Sequence, residues 1–164
     1  MIDNYLKNKS SSLCDQAVHL LFSTNRWEMK EYIHTQISNG VSIICDRYAY
    51  SGVAYSSAKG LDSEWWKSPD AGLPHPDLVL FINTTIEQIA LRSGFGDERY
   101  EKVEFQGKVF DSYLKLESSE PNWVNIEGNE KTVEEIHEQV VDCVMEKYEN
   151  LDSSEVDIND TLFL

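Results

Sequence analysis

The chain has 164 residues, of which 41% are hydrophobic and 11% aromatic, and a formal net charge of −15. This composition excludes a disordered chain and predicts one compact domain with its own core. The negative charge argues against direct nucleic-acid binding, and no apolar run approaches the ~20 residues of a membrane helix. The start of the chain lacks the pattern of a signal peptide. We therefore expect an intracellular protein, in the cytoplasm or also in the nucleus.

Cysteines and acidic residues refine this picture. Cys14, Cys45 and Cys143 are far apart and indicate neither a disulfide framework nor a zinc site. Cys45 lies in an apolar run and is predicted to be a small core residue. The acidic residues that begin at Glu149 predict a solvated tail over 149–164, after a single domain over 1–148.

The first predicted element is a long helix from about Cys14 to Ser38. Ser12 is its expected N-cap and Gly40 its C-terminal stop. Apolar residues recur along it at helical spacing and predict a buried stripe that consists of Val18, Leu21, Phe22, Met29, Ile33 and Ile37.

Short apolar segments that alternate with helical patterns follow. The predicted strands are Val41–Cys45, buried on both faces, Leu78–Ile82 and Trp123–Ile126. The predicted helices run from Thr84 or Thr85 to Arg92, from Val103 to Leu116 and from Thr132 to Tyr148. This alternation predicts an α/β fold in which a parallel sheet is covered by helices on both faces.

Ligands of such sheets bind beyond the carboxyl ends of the strands. That rule favours the segments Asp46–Tyr48, Asn83–Thr85 and Glu127–Asn129. The first has the richest chemistry, because an arginine can grip a phosphate with two parallel hydrogen bonds. Asp46 can hold a magnesium-bound water beside Arg47. The alternative is a strand end that carries an ordinary salt bridge.

Two further groups of residues suggest nucleotide chemistry. Phe22 and Arg26 share a helix face, where an aromatic ring could stack on a base and a guanidinium could reach its edge. The alternative is a common Phe–Arg pair beside the core. Arg92 and Arg99 flank a glycine-containing loop that could close over a transferring phosphoryl group, or that could be an exposed polar loop. Trp65–Asp70 is predicted to be a packed surface loop, and no histidine is assigned a catalytic role.

Four longer stretches resemble the eukaryotic thymidylate kinases. They are DQAVHLLFSTNRWE from Asp15, DRYAYSGVAYSSAKG from Asp46, PDAGLPHPDLVLF from Pro69 and SGFGDERYEKVEFQ from Ser93. The resemblance extends to about Tyr148. It implies a nucleoside-monophosphate kinase fold of the P-loop type, ATP- and Mg²⁺-dependent phosphorylation of dTMP to dTDP for dTTP synthesis, and a homodimer.

The resemblance implies a role for each matching residue of the dTMP site. Phe22 would stack on thymine, and Arg26 would hydrogen-bond its edge. Arg47 would bind the dTMP phosphate, with Asp46 close to the magnesium through a water. The remaining dTMP contacts would come from Gly52, which admits the nucleotide to the backbone, Tyr55 beside the deoxyribose, and Tyr100 and Gln106.

The donor side is implied in the same way. Ser93–Arg99 would form a lid, with Arg92 and Arg99 near ATP. However, the motif G-x-x-x-x-G-K-[ST], which cradles the ATP phosphates in this family, occurs nowhere in the 164 residues. We therefore expect an N-terminally truncated form of the fold, without its first strand, and impaired phosphoryl transfer. The alternatives are a non-catalytic relic that binds dTMP or dimerises, and a fragment from a truncated gene model.

Overall fold

A computed structural model describes residues 2–7, 13–60, 62–91, 100–150 and 160–163. The strands are β1 (Val79–Asn83) and β2 (Trp123–Glu127). A short 3-10 turn, Ser68–Asp70, follows the fourth helix. The helices are α1 (Ile2–Lys7), α2 (Asp15–Ser38), α3 (Ala49–Ser57), α4 (Ser63–Lys67), α5 (Ile86–Ala90), α6 (Val103–Glu117) and α7 (Val133–Glu149).

The two strands form a parallel pair, in register from Val79 opposite Trp123 to Asn83 opposite Glu127. A parallel pair needs a long crossover, and α5 and α6 lie in that connection. Each strand lies within one residue of its predicted position. The predicted α/β class, a parallel sheet flanked by helices, is therefore confirmed.

The predicted strand Val41–Cys45 is wrong. Residues 41–45 carry no strand pairing to any described residue, and the Ile44 side chain is 97% exposed. Cys45 is exposed as well, so it is not a core residue. An apolar, β-branched run becomes a strand only when a neighbouring strand satisfies its amides and carbonyls. The composition of residues 41–45 indicates a preference for a strand, but a strand also needs a neighbouring strand with which to pair.

Helix α2 has the predicted length but a different buried face. It begins after Cys14 and ends before Gly40, which has the left-handed φ of 75° expected of a helix stop, while Ser12 lies outside the described residues. Val18 and Ile33 are buried as predicted, whereas Met29 is 45% exposed.

Two polar residues of α2 that were not part of the predicted stripe, His19 and Ser23, are buried. The His19 Nδ1 atom lies 2.9 Å from the Ser56 hydroxyl, and the Ser23 hydroxyl donates to the Pro69 carbonyl at 2.9 Å. These hydrogen bonds offset part of the cost of burial, although the His19 Nε2 atom has no hydrogen-bond partner among the described residues. Polarity alone therefore did not reveal the buried face.

The core is built around α3. Ala49, Tyr50, Val53 and Ala54 pack with residues from α4, the segment after the 3-10 turn, α6 and residues 160–163: Trp66, Leu73, Val109, Leu116 and Leu162. The segment Trp65–Asp70 is therefore not a surface loop. It is helical, and Trp66 and Asp70 are fully buried.

The last described residues also belong to this core. Leu162 is fully buried, and its amide and carbonyl hydrogen-bond to Leu73 and Gly72. Thr161 forms an antiparallel bridge with Pro74. The solvated tail predicted over 149–164 therefore does not include residues 160–163.

Helix caps in the second half of the chain follow the sequence signals. Thr85 caps α5 by accepting from the Gln88 amide, and Thr132 forms a reciprocal capping box with Glu135 at the start of α7. Within the described part of the chain, no helix combines the length and the apolar character that crossing a bilayer requires.

Candidate functional site

Arg47 stands where residues 41–46 turn into α3. Its φ is 66°, a left-handed conformation that is uncommon for non-glycine residues and carries a cost in free energy. Its Nη2 atom donates to the Tyr55 hydroxyl at 3.3 Å, and its guanidinium carbon lies 5.2 Å from the centre of the Tyr55 ring. The Arg47 and Asp46 side chains are both exposed. The guanidinium is thus held by an aromatic ring and remains accessible to an anion.

Tyr55 connects Arg47 to the start of α6. The Gln106 amide nitrogen lies 3.4 Å from the Tyr55 hydroxyl and donates to the Tyr100 carbonyl at 2.9 Å. The rings of Tyr55 and Tyr100 meet edge to face at 5.7 Å, and Phe105 stacks on Tyr100 at 5.3 Å. The structure therefore brings four predicted site residues into one cluster: Arg47, Tyr55, Tyr100 and Gln106.

Arg26 forms a two-point ion pair with Asp70. The Nε atom donates to Oδ1 at 3.0 Å and Nη2 donates to Oδ2 at 2.6 Å. Asp70 is fully buried, and the Arg26 side chain is 11% exposed. Gly52 lies directly behind the guanidinium, since a Cβ atom there would come within 2.9 Å of Nη2. The predicted residues Arg26 and Gly52 are therefore neighbours.

One open cavity joins the two arginines. It has a volume of about 480 Å³ and lies between α2 and the segment 41–48. Arg26, Asp46 and Arg47 all line it. Phe22 is half-buried on α2, one turn before Arg26, and is not among the residues that line the cavity. An anionic ligand in this cavity would meet two guanidinium groups, one exposed and one fixed.

Three other predicted features have different outcomes. Arg92, Arg99 and the lid Ser93–Arg99 lie outside the described residues. Among the residues that are described, no group of three or more acidic, histidine or cysteine side chains could hold a metal by itself. Asp46 therefore stands as a single carboxylate. One carboxylate together with nucleotide phosphates is a common setting for Mg²⁺, so Asp46 fits the proposed contact through a water.

Sequence reasoning missed Asp70 and Tyr113. The Tyr113 hydroxyl lies 2.8 Å from the Ser51 hydroxyl, beside the cluster, and burial raises the pKa of Tyr113. A signal for Tyr113 existed, because it follows Gln106 by seven residues and so shares its helix face. Asp70 gave no comparable signal, since its partner Arg26 is 44 residues away in the chain.

Comparisons with known proteins agree with the resemblance. A family model described as thymidylate kinase matches residues 1–140. A thymidylate kinase from Schizosaccharomyces pombe is 47% identical over 165 residues, which is 98% of this chain and 73% of that protein. One from Arabidopsis thaliana is 50% identical over 141 residues, which is 86% of this chain and 53% of that protein.

A solved structure of thymidylate kinase from Candida albicans superposes with a TM-score of 0.80 at 39% identity. The match covers 98% of this chain and 77% of that structure. The chain thus spans between about half and three quarters of the length of these relatives.

Proposed function

We propose, from the premise that this chain belongs to the thymidylate kinase family of nucleoside-monophosphate kinases, that it binds dTMP between α2, α3 and α6. The observation that carries the proposal is the cavity that Arg26, Asp46 and Arg47 share between α2 and residues 41–48, which the contact of Arg47 with Tyr55 joins to α3. The family phosphorylates dTMP to dTDP with ATP, so the acceptor nucleotide is the ligand expected there.

The phosphate contact is assigned to Arg47. Its guanidinium is exposed, and the Tyr55 ring at 5.2 Å orients it without neutralising it. A guanidinium in this state can donate two parallel hydrogen bonds to a phosphate. Arg47, with its left-handed backbone, lies two residues before the first residue of α3. Its side chain therefore stands beside the start of that helix.

The base and sugar contacts are assigned to the surrounding residues. Phe22 would stack on thymine, and Arg26 would donate to a base carbonyl. Tyr55, Tyr100 and Gln106 already contact one another, so they would offer the sugar a wall that needs little rearrangement. Gly52 makes room for the Arg26 guanidinium, an additional reason for glycine at this position.

The donor side is a further part of the proposal. ATP would approach Arg92 and Arg99, with Mg²⁺ near Asp46. When bound, the magnesium ion would neutralise charge on the phosphates. Because the family's phosphate-binding motif is not among the 164 residues, we propose that this polypeptide alone transfers phosphate slowly. A dTMP-binding relic and an inactive fragment are the competing proposals.

The resemblance also implies a homodimer, which stays a prediction. On α2, the side chains of Leu20 and Trp27 are 45% and 38% exposed. They are seven residues apart and therefore lie on one helix face. A second copy of the chain could cover this apolar face.

Calorimetric titration with dTMP tests the proposed site. Arg47→Ala should weaken dTMP binding by roughly 10- to 100-fold, because one hydrogen bond to a charged group contributes ~1.5–3 kcal/mol. The matched control is Lys108→Ala, which removes a cation from an exposed ion pair with Glu104 on α6. Equal dTMP affinity of the Arg47→Ala variant and the wild type would contradict the assignment. No binding by the wild type would reject the proposed function.

A further inference from the structure

The carboxylate of Asp70 binds the edge of the Arg26 guanidinium that carries Nε and Nη2. It accepts from Nε at 3.0 Å and from Nη2 at 2.6 Å. A two-point pair of this kind fixes the plane of the guanidinium as well as its position. Nη1 makes no hydrogen bond to a described residue, so its N–H groups remain available on the side opposite the carboxylate.

Burial makes this orientation difficult to change. Asp70 is fully buried and the Arg26 side chain is 11% exposed, so separating the pair would leave the Asp70 carboxylate buried without a compensating charge. Backbone and side-chain bonds secure the element that carries Asp70. The Ser23 hydroxyl and the Trp27 indole, both on α2, donate to the Pro69 carbonyl at 2.9 and 2.7 Å. The residue before Asp70 is thus tied to the helix that carries Arg26.

Gly52 of α3 leaves room for the guanidinium, which packs closely against the backbone there. A Cβ atom at this position would lie 2.9 Å from Nη2 and 3.4 Å from Nη1. The Arg26 side chain is therefore held between Asp70 and the backbone of α3, while it still lines the cavity that contains Arg47. Hydrogen-bond donors fixed in this way can distinguish an acceptor from a donor on a ligand.

We propose that Asp70 is a positioning residue that sets base preference through Arg26. It locks the guanidinium so that its free N–H groups face the cavity and favour a pyrimidine with an oxygen at C4 over one with an amino group. The inference rests on the proposed binding of the base by Arg26. Asp70 itself does not touch the nucleotide.

Paired titrations with dTMP and dCMP on the whole chain test this role. Asp70→Asn keeps the shape but removes the charge and one acceptor, and Asp70→Glu keeps the charge but displaces the carboxylate. Both should reduce the preference for dTMP over dCMP by about tenfold, the equivalent of one charge-assisted hydrogen bond. Asp77→Asn, an exposed carboxylate before β1, should leave the ratio unchanged.

The ratio separates positioning from a general structural effect. A purely structural Asp70 would weaken both nucleotides equally, and an unchanged ratio in either folded variant overturns the inference. Arg26→Lys should also reduce the ratio. If it does not, the proposed base contact by Arg26 is wrong. Failure of the wild type to bind dTMP would reject the proposed function and this inference together.

Side-chain ¹⁵N NMR of the wild-type chain gives a test that needs no folded Asp70 variant. The Arg26 Nε–H resonance, identified by its loss in Arg26→Lys, should exchange slowly with solvent in the free chain. Its Nη groups should be resolved from one another and should shift more with dTMP than with dCMP. Averaged Nη resonances, which indicate free rotation, would overturn the proposed lock.

Discussion

The exposure, charge state and mobility of single residues in this protein depend on the groups they contact more than on their residue type. His19 is buried among Trp65, Trp66 and Ser56, so burial lowers its pKa, against the opposing field of Asp70. Arg26 and Arg47 are both arginines of the predicted site. One is locked to a buried carboxylate, and the other is exposed against a tyrosine ring. Sequence assigned both to the nucleotide, but only the fold separates their physical roles.

The buried histidine predicts a pH dependence of stability. Its folded-state pKa is below the ordinary value of ~6.5, so the unfolded chain binds a proton first as the pH falls. Above that pH, protonation of His19 therefore makes no contribution to the free energy of unfolding. Below it, the free energy of unfolding decreases until the folded-state pKa is reached, by at most ~1.4 kcal/mol per pH unit.

Urea unfolding of His19→Gln between pH 5 and pH 7 measures this contribution (roughly the histidine titration range). The variant should show a shallower pH slope than the wild type, whatever its absolute stability. His137→Gln, at an exposed position of α7, is the control and should keep the wild-type slope. Identical slopes for all three proteins would show that His19 is protonated equally in both states.

At the scale of elements, the chain end is part of the support for the site. Leu162 fills the core beside Ala49 and Tyr50, the first residues of α3. Phe163 meets the Tyr50 ring edge to face at 6.0 Å. Since α3 begins two residues after Arg47, residues 160–163 pack against the helix that directly follows the cavity-lining residues 41–48.

Shortening the buried Leu162 side chain should destabilise the domain. Leu162→Ala should lower the free energy of unfolding by ~2–5 kcal/mol, because it leaves a cavity among fully buried side chains. Chemical denaturation checks the value. Leu91→Ala removes the same atoms from a side chain that is 81% exposed and should change stability by less than ~0.5 kcal/mol. Equal costs for the two variants would refute the anchoring role.

At the scale of the whole molecule, acceptor binding and phosphoryl transfer have different requirements. The proposed dTMP contacts come from α2, α3, α6 and the residues just before α3 and α6, all of which are described. Transfer from ATP depends on positioning and charge stabilisation around the donor phosphates. The 164 residues contain no G-x-x-x-x-G-K-[ST] to provide them. We therefore expect this polypeptide to retain dTMP binding better than catalysis.

A coupled assay of the purified chain with ATP, Mg²⁺ and dTMP tests this separation. Turnover should fall far below the ~1–100 s⁻¹ typical of kinases, while calorimetry still detects dTMP binding. A thymidylate kinase of known activity is the positive control. Turnover in the usual range would contradict the proposed impairment. Binding without turnover would support the dTMP-binding alternative, and the absence of both would support the inactive fragment.

The sequence by itself determined the family, the two parallel strands and the helices α2, α5, α6 and α7, but not α1, α3 or α4. These features depend on local patterns and on long matching stretches, both of which can be identified directly in the sequence. Thr85 and Thr132 are examples, because a cap is defined by neighbours within one helical turn.

Only the tertiary structure decided the state of residues 41–45, the burial of Trp66 and Asp70, and the docking of Leu162. Each depends on a partner that is distant in sequence: a neighbouring strand, the Arg26 guanidinium 44 residues away, or the core around α3. Strand pairing, charge compensation and packing all arise from contacts between residues that are distant in the sequence. A sequence states which groups are available for such contacts, whereas the fold determines which of them meet.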